Sequence, residues 1–118
     1  MTAPPRPKLS ICGELSERPY ELFEEALGPL LRRRFPADPN LRFRHMDELD
    51  ELRIYATGFD MVIQGHLFAS SYDHGSVEDA IAFYREISAA LTQHRFLHDI
   101  EIMQQEPDGS WSDLVKIP

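Results

Sequence analysis

Only one cysteine occurs in the sequence, Cys12, so no internal disulfide bond can form and the fold must rest on a buried apolar core. No apolar run approaches the roughly 20 residues that a membrane-spanning helix needs, and the first residues lack the charged and apolar regions of a signal peptide. We therefore expect a cytoplasmic protein that makes no membrane contact. A chain of 118 residues, 42% of them hydrophobic, is large enough to bury one core.

Basic residues are scarce in the later part of the chain. Residues 1–46 hold eight Arg and Lys against six Asp and Glu, whereas residues 47–118 hold four against fourteen. Because nucleic-acid binders concentrate positive charge, we expect no direct contact with nucleic acid. A basic protein would be attracted to the acidic part, so the expected partner is a protein, and a basic one.

Motifs of the common enzyme classes are also missing. There is no nucleophile elbow, no P-loop and no dinucleotide-binding glycine pattern. The run Asp47–Glu51, with four acidic residues in five, lacks the ligand alternation and the central glycine of a calcium loop. We therefore expect no catalytic residue, no cofactor and no metal, and we favour a non-enzymatic role.

Hydrophobic periodicity divides the chain into a leader and one domain. Residues 1–7, with three prolines, are expected to form a flexible leader, and residues 8–118 a single α+β domain. Alternation predicts a strand over Lys8–Leu15. A helical period follows from Ser16 to Arg34, with either a kink or two short helices sharing one face expected around Gly28-Pro29.

The stretch Leu52–Ser71 is predicted to form a central β-hairpin around residues 57–60, because alternating apolar residues flank that segment. We read its second arm as one continuous strand. On that interpretation one side of the arm faces the core and the other side is open. The core side would carry Met61, Ile63, Leu67 and Ala69, and the open side Val62, Gln64, His66 and Phe68.

The remaining elements complete a recognisable order. Ser76 with Asp79 three residues later predicts the start of a second helix, which ends near His94. Strands are predicted over His98–Gln105 and Trp111–Ile117, while Leu41–Met46 is either a short extra strand or an edge segment. This order predicts a ferredoxin-like βαββαβ open-faced sandwich with an added C-terminal strand.

Two helices cover one face of such a sheet, so the opposite face is open for binding. The side chains expected there are Cys12, Tyr55, Val62, His66, Phe68, Glu101 and Met103. Together with the acidic run they give the predicted partner-binding residues, which are Asp47, Glu48, Asp50, Glu51, Tyr55, His66, Phe68 and Glu101.

The sequence thus predicts a non-enzymatic acidic protein-binding module, for example a bacterial immunity protein or an inhibitor that neutralises a basic toxin or nuclease. A second copy of the chain could instead cover the open face, which would make a homodimer. The alternative function is a small dimeric ferredoxin-like enzyme or ligand-binding protein with a pocket around His66 and Tyr55.

Overall fold

The computed structural model describes residues 7–118, so the predicted leader, apart from Pro7, lies outside the described residues. The described part folds into nine elements. They are β1 (Leu9–Leu15), α1 (Tyr20–Arg34), β2 (Arg42–Met46), β3 (Glu51–Ala56), β4 (Phe59–Gln64), β5 (Leu67–Tyr72), α2 (Val77–Gln93), β6 (His98–Gln105) and β7 (Trp111–Ile117).

The seven strands form one sheet in the order β2-β3-β4-β5-β1-β6-β7, and every neighbouring pair is antiparallel. The predicted α+β class and the C-terminal strand are confirmed. The predicted ferredoxin-like βαββαβ arrangement is wrong, because four strands rather than two lie between the helices. These four strands form a meander whose last member pairs with β1.

The error arose in the central hairpin, whose second arm is two strands rather than one. Gly65 and His66 form a tight turn between β4 and β5, and Gly65 has a φ of 60°, which favours glycine. Facing residues of a hairpin share one side of the sheet, and Phe68 lies opposite Ile63 while Leu67 lies opposite Gln64. Phe68 therefore points into the core and Leu67 points outward, the reverse of the prediction.

Both predicted helices form, although α1 begins at Tyr20 rather than at Ser16. Helix α1 continues through Pro29 as one element, so the alternative of two short helices is wrong. Helix α2 begins with the predicted capping box, in which the Ser76 hydroxyl accepts from the Asp79 N–H and the Asp79 carboxylate accepts from the Ser76 N–H. None of the helices in residues 7–118 is long and apolar enough to span a membrane.

The helices pack on one face of the sheet and bury a single apolar core there. Side chains of α1 such as Phe23 and Leu31, and of α2 such as Phe83 and Ile87, belong to one buried cluster with Ile63 and the other inward-facing strand residues. Such burial is the main source of stability in a domain of this size. Both helices of the described chain share this face, which leaves the other face of the sheet without a covering element.

Two features mark the borders of the sheet. At the β7 border, Val115 lies opposite Ile102 but Asp113 lies opposite Met103, so Leu114 is an extra residue and the strand contains a β-bulge. At the other border, β2 carries the exposed residues Arg42 and Arg44.

Candidate functional site

Four connections meet at one end of the sheet, which we call the acidic end. They are the β1–α1 link (16–19), the β2–β3 turn (47–50), the β4–β5 turn (65–66) and the α2–β6 link (94–97). Hydrogen bonds join them: the Leu15 N–H donates to the His66 carbonyl and the Ser16 N–H to the Leu97 carbonyl, both at 2.8 Å. The Gln64 amide donates to the carbonyl of Leu49 at 3.1 Å.

Carboxylates outnumber basic groups at the acidic end. Its exposed acidic residues, on the connections and on the adjoining strand ends, are Glu14, Glu17, Asp47, Glu48, Asp50 and Asp99. Within residues 7–118, one ion pair involves these carboxylates. It joins Asp47 to His45, with 3.6 Å between the Asp47 Oδ1 and the His45 Nδ1. This end also has two arginines, Arg18 and Arg95. The Arg18 guanidinium donates a hydrogen bond to the Arg95 carbonyl. The Arg18 guanidinium lies over the ring of the core residue Phe96, and in the part of the chain that the structure describes neither arginine forms an ion pair with these carboxylates.

Two exposed leucines accompany the carboxylates. Leu49 is 48% exposed in the β2–β3 turn, and Leu97 is 82% exposed before β6. Beside Leu97 lies an open depression of about 380 Å³ with His66 and Leu15 in its wall and with Glu14 and Asp99 at its edge. Apolar surface next to unpaired carboxylates suits a lysine or arginine side chain, whose aliphatic stem packs while its charge reaches a carboxylate.

The sheet face that no described helix or strand covers, here called the outer face, is a second candidate surface. Its middle row follows the strand pairing from β2 to β7 and consists of Arg44, Arg53, Val62, Ala69, Cys12, Glu101 and Lys116. On one side of this row lie Tyr55 and Met103, and on the other lie Leu67 and Glu14.

Charge is unevenly distributed on the outer face. The arginines Arg42, Arg44 and Arg53 lie on β2 and β3, whereas Glu14, Asp99 and Glu101 lie on β1 and β6. Val62, Ala69 and Leu67 lie between the two groups, together with the outward-facing Asp60 and Gln64 of β4. Glu51 lies among the arginines and is paired with Arg53. The outer face is therefore basic towards one border and acidic towards the other.

Local contacts tune the groups of the outer face. The Arg53 Nε donates to the Glu51 carboxylate at 2.6 Å, and this hydrogen bond, followed by one with Tyr55, raises the pKa of the guanidinium. The Arg42 guanidinium lies 5.3 Å from the centre of the Tyr55 ring, a cation–π contact. Burial, and then the nearby charge of Glu101, raises the pKa of the Cys12 thiol.

The structure brings together some of the predicted partner-binding residues. Asp47, Glu48, Asp50 and His66 lie at the acidic end, while Glu51, Tyr55 and Glu101 lie on the outer face. Phe68 is only 4% exposed and belongs to the core, so its predicted place on the open face is wrong. His66 lies in a turn beyond the end of β4 rather than within a strand, so its predicted mid-strand place is also wrong.

The pocket considered around His66 and Tyr55 does not assemble. Tyr55 lies opposite Asp60 of β4. Gln64 is four residues further along the same strand, about 14 Å away at strand spacing, and His66 lies beyond it. Among residues 7–118, no group of three or more His, Cys, Asp or Glu side chains is placed to hold a metal ion.

Sequence reasoning missed Glu14, Asp99 and Leu97. Glu14 lies opposite Asp99 in the β1–β6 pairing, which joins residues 85 positions apart. The strand order that creates this proximity has no local signal in the sequence.

Comparison with protein-family models, with curated proteins and with solved structures finds no match to this chain.

Proposed function

We propose that the protein is a non-enzymatic binding module that holds a basic protein against its acidic end. The observation that carries this proposal is the combination of exposed leucines, Leu49 and Leu97, with six exposed carboxylates on neighbouring connections. Leu97 supplies apolar contact area beside the depression, and the carboxylates around it supply charge. The sign of the surrounding charge selects a basic partner and speeds association with it.

The preorganisation of this end supports the same proposal. Hydrogen bonds between connections fix their positions, and the Tyr20 hydroxyl donates to the Asp50 carbonyl at 2.6 Å, which ties the β2–β3 turn to helix α1. A surface that is already ordered loses little conformational entropy on binding. It can therefore bind tightly with a modest contact area.

Inhibition is the biological role that fits such a module. Enzymes that act on nucleic acids present basic clefts, and carboxylates spaced along a sheet end can occupy a cleft that otherwise receives phosphates. We propose that the protein neutralises a toxin or nuclease of this kind, as an immunity protein does. We place it in the cytoplasm, since its core needs no disulfide bond and its lone thiol suits a reducing compartment.

The proposal is tested by capturing the partner protein and then measuring its affinity with both proteins purified. Tagged protein is incubated with extract of its own cells, the captured protein is identified, and the purified pair is measured by calorimetry. We expect a basic partner whose affinity falls at least tenfold between roughly 50 and 300 mM salt. If the partner is a nuclease, addition of the protein must stop cleavage.

Variants locate the binding surface. Leu97→Ser and Asp99→Asn should each weaken binding about tenfold or more, because they remove an apolar contact and a charge at the depression. Trp111→Ser, which changes an exposed residue at the β7 border, is the matched control and should leave the affinity within about twofold. An affinity that ignores salt, or that responds to Trp111→Ser and not to the other two changes, would overturn the proposal.

A further inference from the structure

We propose that the outer face packs against the outer face of a second copy of this chain, in a dimer whose two-fold axis runs parallel to the strands over β5. This inference concerns the outer face, which shares Glu14 and Asp99 with the acidic end, and it does not rest on the proposed function. It starts from the charge distribution of the outer face, which has one basic and one acidic side.

A two-fold axis along the strands exchanges the two sides of the sheet. Strand β3 of one copy then lies over β6 of the other, β4 lies over β1, and β5 lies over itself. In the middle row this places Arg53 over Glu101 of the second copy. The basic side of each copy thus meets the acidic side of the other, which is favourable twice in an isologous contact.

The uncharged residues match in the same arrangement. Val62 lies over Cys12 of the second copy, and Ala69 lies over its own equivalent at the axis. In the neighbouring rows Tyr55 lies over Met103, and Leu67 meets its own equivalent. Small side chains at the centre allow two sheets to approach, and the aromatic and methionine side chains around them supply contact area.

Other two-fold arrangements conflict with the charges. An axis perpendicular to the strands would lay each strand over itself and would bring Arg53 and Arg44 against their own equivalents. In the proposed arrangement two like-charged pairs remain, Arg44 with Lys116 and Glu51 with Asp99. Arg44 and Lys116 are exposed at the borders, where stacked sheets that cross at about 30° diverge and long side chains reach water. The carboxylate of Glu51 is paired with Arg53 of its own chain, which offsets its charge.

The available area is sufficient for a stable dimer. Seven strands spaced about 4.8 Å apart, with about six residues each at 3.4 Å, give a face of roughly 34 by 20 Å. Complete contact between two such faces would bury about 1,300 Å², which lies within the range of specific interfaces, and divergence at the borders lowers this value.

The first experiment measures the mass in solution. Sedimentation analysis of the full chain is expected to give twice the monomer mass of 13.6 kDa at micromolar concentration. Ala69→Arg, which places a charge at the axis on an exposed position, should give a folded monomer, with folding checked by circular dichroism. The inference would be overturned if the unaltered chain were monomeric at roughly millimolar concentration, or if the Ala69→Arg variant remained a dimer.

A second experiment tests the arrangement. In a Cys12→Ser background, Ala69→Cys provides one cysteine at the axis, and a bismaleimide with a spacer of about 10 Å matches the distance between stacked sheets. We expect a covalent dimer, whereas Ala89→Cys, on the exposed side of α2, should give none. Equal cross-linking of both variants would contradict the proposed contact.

A charge-reversal pair tests the electrostatic argument. Glu101→Arg sets an arginine against Arg53 of the second copy and should weaken the dimer at least tenfold. Glu48→Arg makes the same change in charge at the acidic end and should leave the dimer unchanged. If both variants weaken it equally, overall charge rather than facing residues controls association and the inference fails.

Discussion

Gly13 of β1 lies directly opposite Phe68 of β5, and the ring of Phe68 occupies the space that a side chain at position 13 would need. A Cβ there would come within 2.8 Å of the Phe68 ring and within 1.9 Å of the Asp99 carbonyl oxygen. We predict that Gly13→Ala lowers the free energy of unfolding by about 1–3 kcal/mol, since the backbone oxygen cannot rotate away.

Urea denaturation measures this effect, with Cys12→Ala as the matched control. Cys12 is the neighbouring residue on the outer face, so its truncation should cost less than about 1 kcal/mol. A Gly13→Ala protein as stable as the control would show that β1 does not approach β6 and β5 as the structure has them.

Arg95 follows helix α2 with a φ of 64°, in the left-handed region that favours glycine. The Arg95 N–H donates to the Thr92 carbonyl and the Phe96 N–H to the Leu91 carbonyl, which is the bonding pattern of a Schellman motif. Arg95→Gly should therefore raise the free energy of unfolding by about 1 kcal/mol. Arg95→Ala, which removes the same side chain without relieving the backbone, serves as the control in thermal denaturation and should give no gain.

Asp38 connects the α1–β2 loop to the β3–β4 turn. Its carboxylate accepts from the Thr57 N–H and from the Asn40 N–H, both at 2.8 Å, and these bonds hold its pKa below the usual value of 3.8. A lowered pKa in the folded state stabilises the protein above pH 3.8, and this contribution is lost as the pH falls through the folded-state pKa.

Asp38→Asn should therefore destabilise the protein at neutral pH, and its difference in stability from the unaltered protein should narrow as the pH falls below 3.8. Urea midpoints measured from neutral pH down to about pH 3 test this expectation. Glu78→Gln, at an exposed position on α2, controls for the loss of one charge. A difference in urea midpoint between Asp38→Asn and the unaltered protein that stays constant with pH would contradict a lowered pKa of Asp38.

The Cys12 thiol should react slowly with a disulfide reagent at pH 8, because its pKa lies above the ordinary value of 9.0. Burial is the larger cause and the charge of Glu101 the smaller. The pH at which the reaction rate reaches half its maximum should therefore be lower in Glu101→Gln than in the unaltered protein, but it should stay above 9.0. Glu48→Gln should leave the profile unaltered, and an equal shift in both variants would exclude a local effect of Glu101.

Local signals predicted several elements correctly. The capping box at Ser76 and the apolar period behind it predicted α2, and alternation predicted β1, β6 and β7. These elements are set by interactions over a few residues, which a sequence pattern reports directly. The acidic residues Asp47, Glu48 and Asp50 were recognised as a cluster for the same reason, since they are neighbours in the chain.

Long-range pairing was not predictable from such patterns. The turn at Gly65-His66 interrupts an alternation that reads as continuous, and a two-residue turn reverses the side on which the following residues lie. The strand count, the place of β1 between β5 and β6, and the side of Phe68 all depend on that turn. The meeting of Glu14 with Asp99 depends in turn on the order of strands.

The bulge at Leu114 limits how this sheet can grow. An extra residue twists the border strand and breaks the regular row of amide and carbonyl groups that another chain would need for strand addition. Guanidinium groups on β2 discourage the same addition at the opposite border. A concentrated solution of this protein should therefore resist fibril formation, with any self-association closing at a defined number of copies.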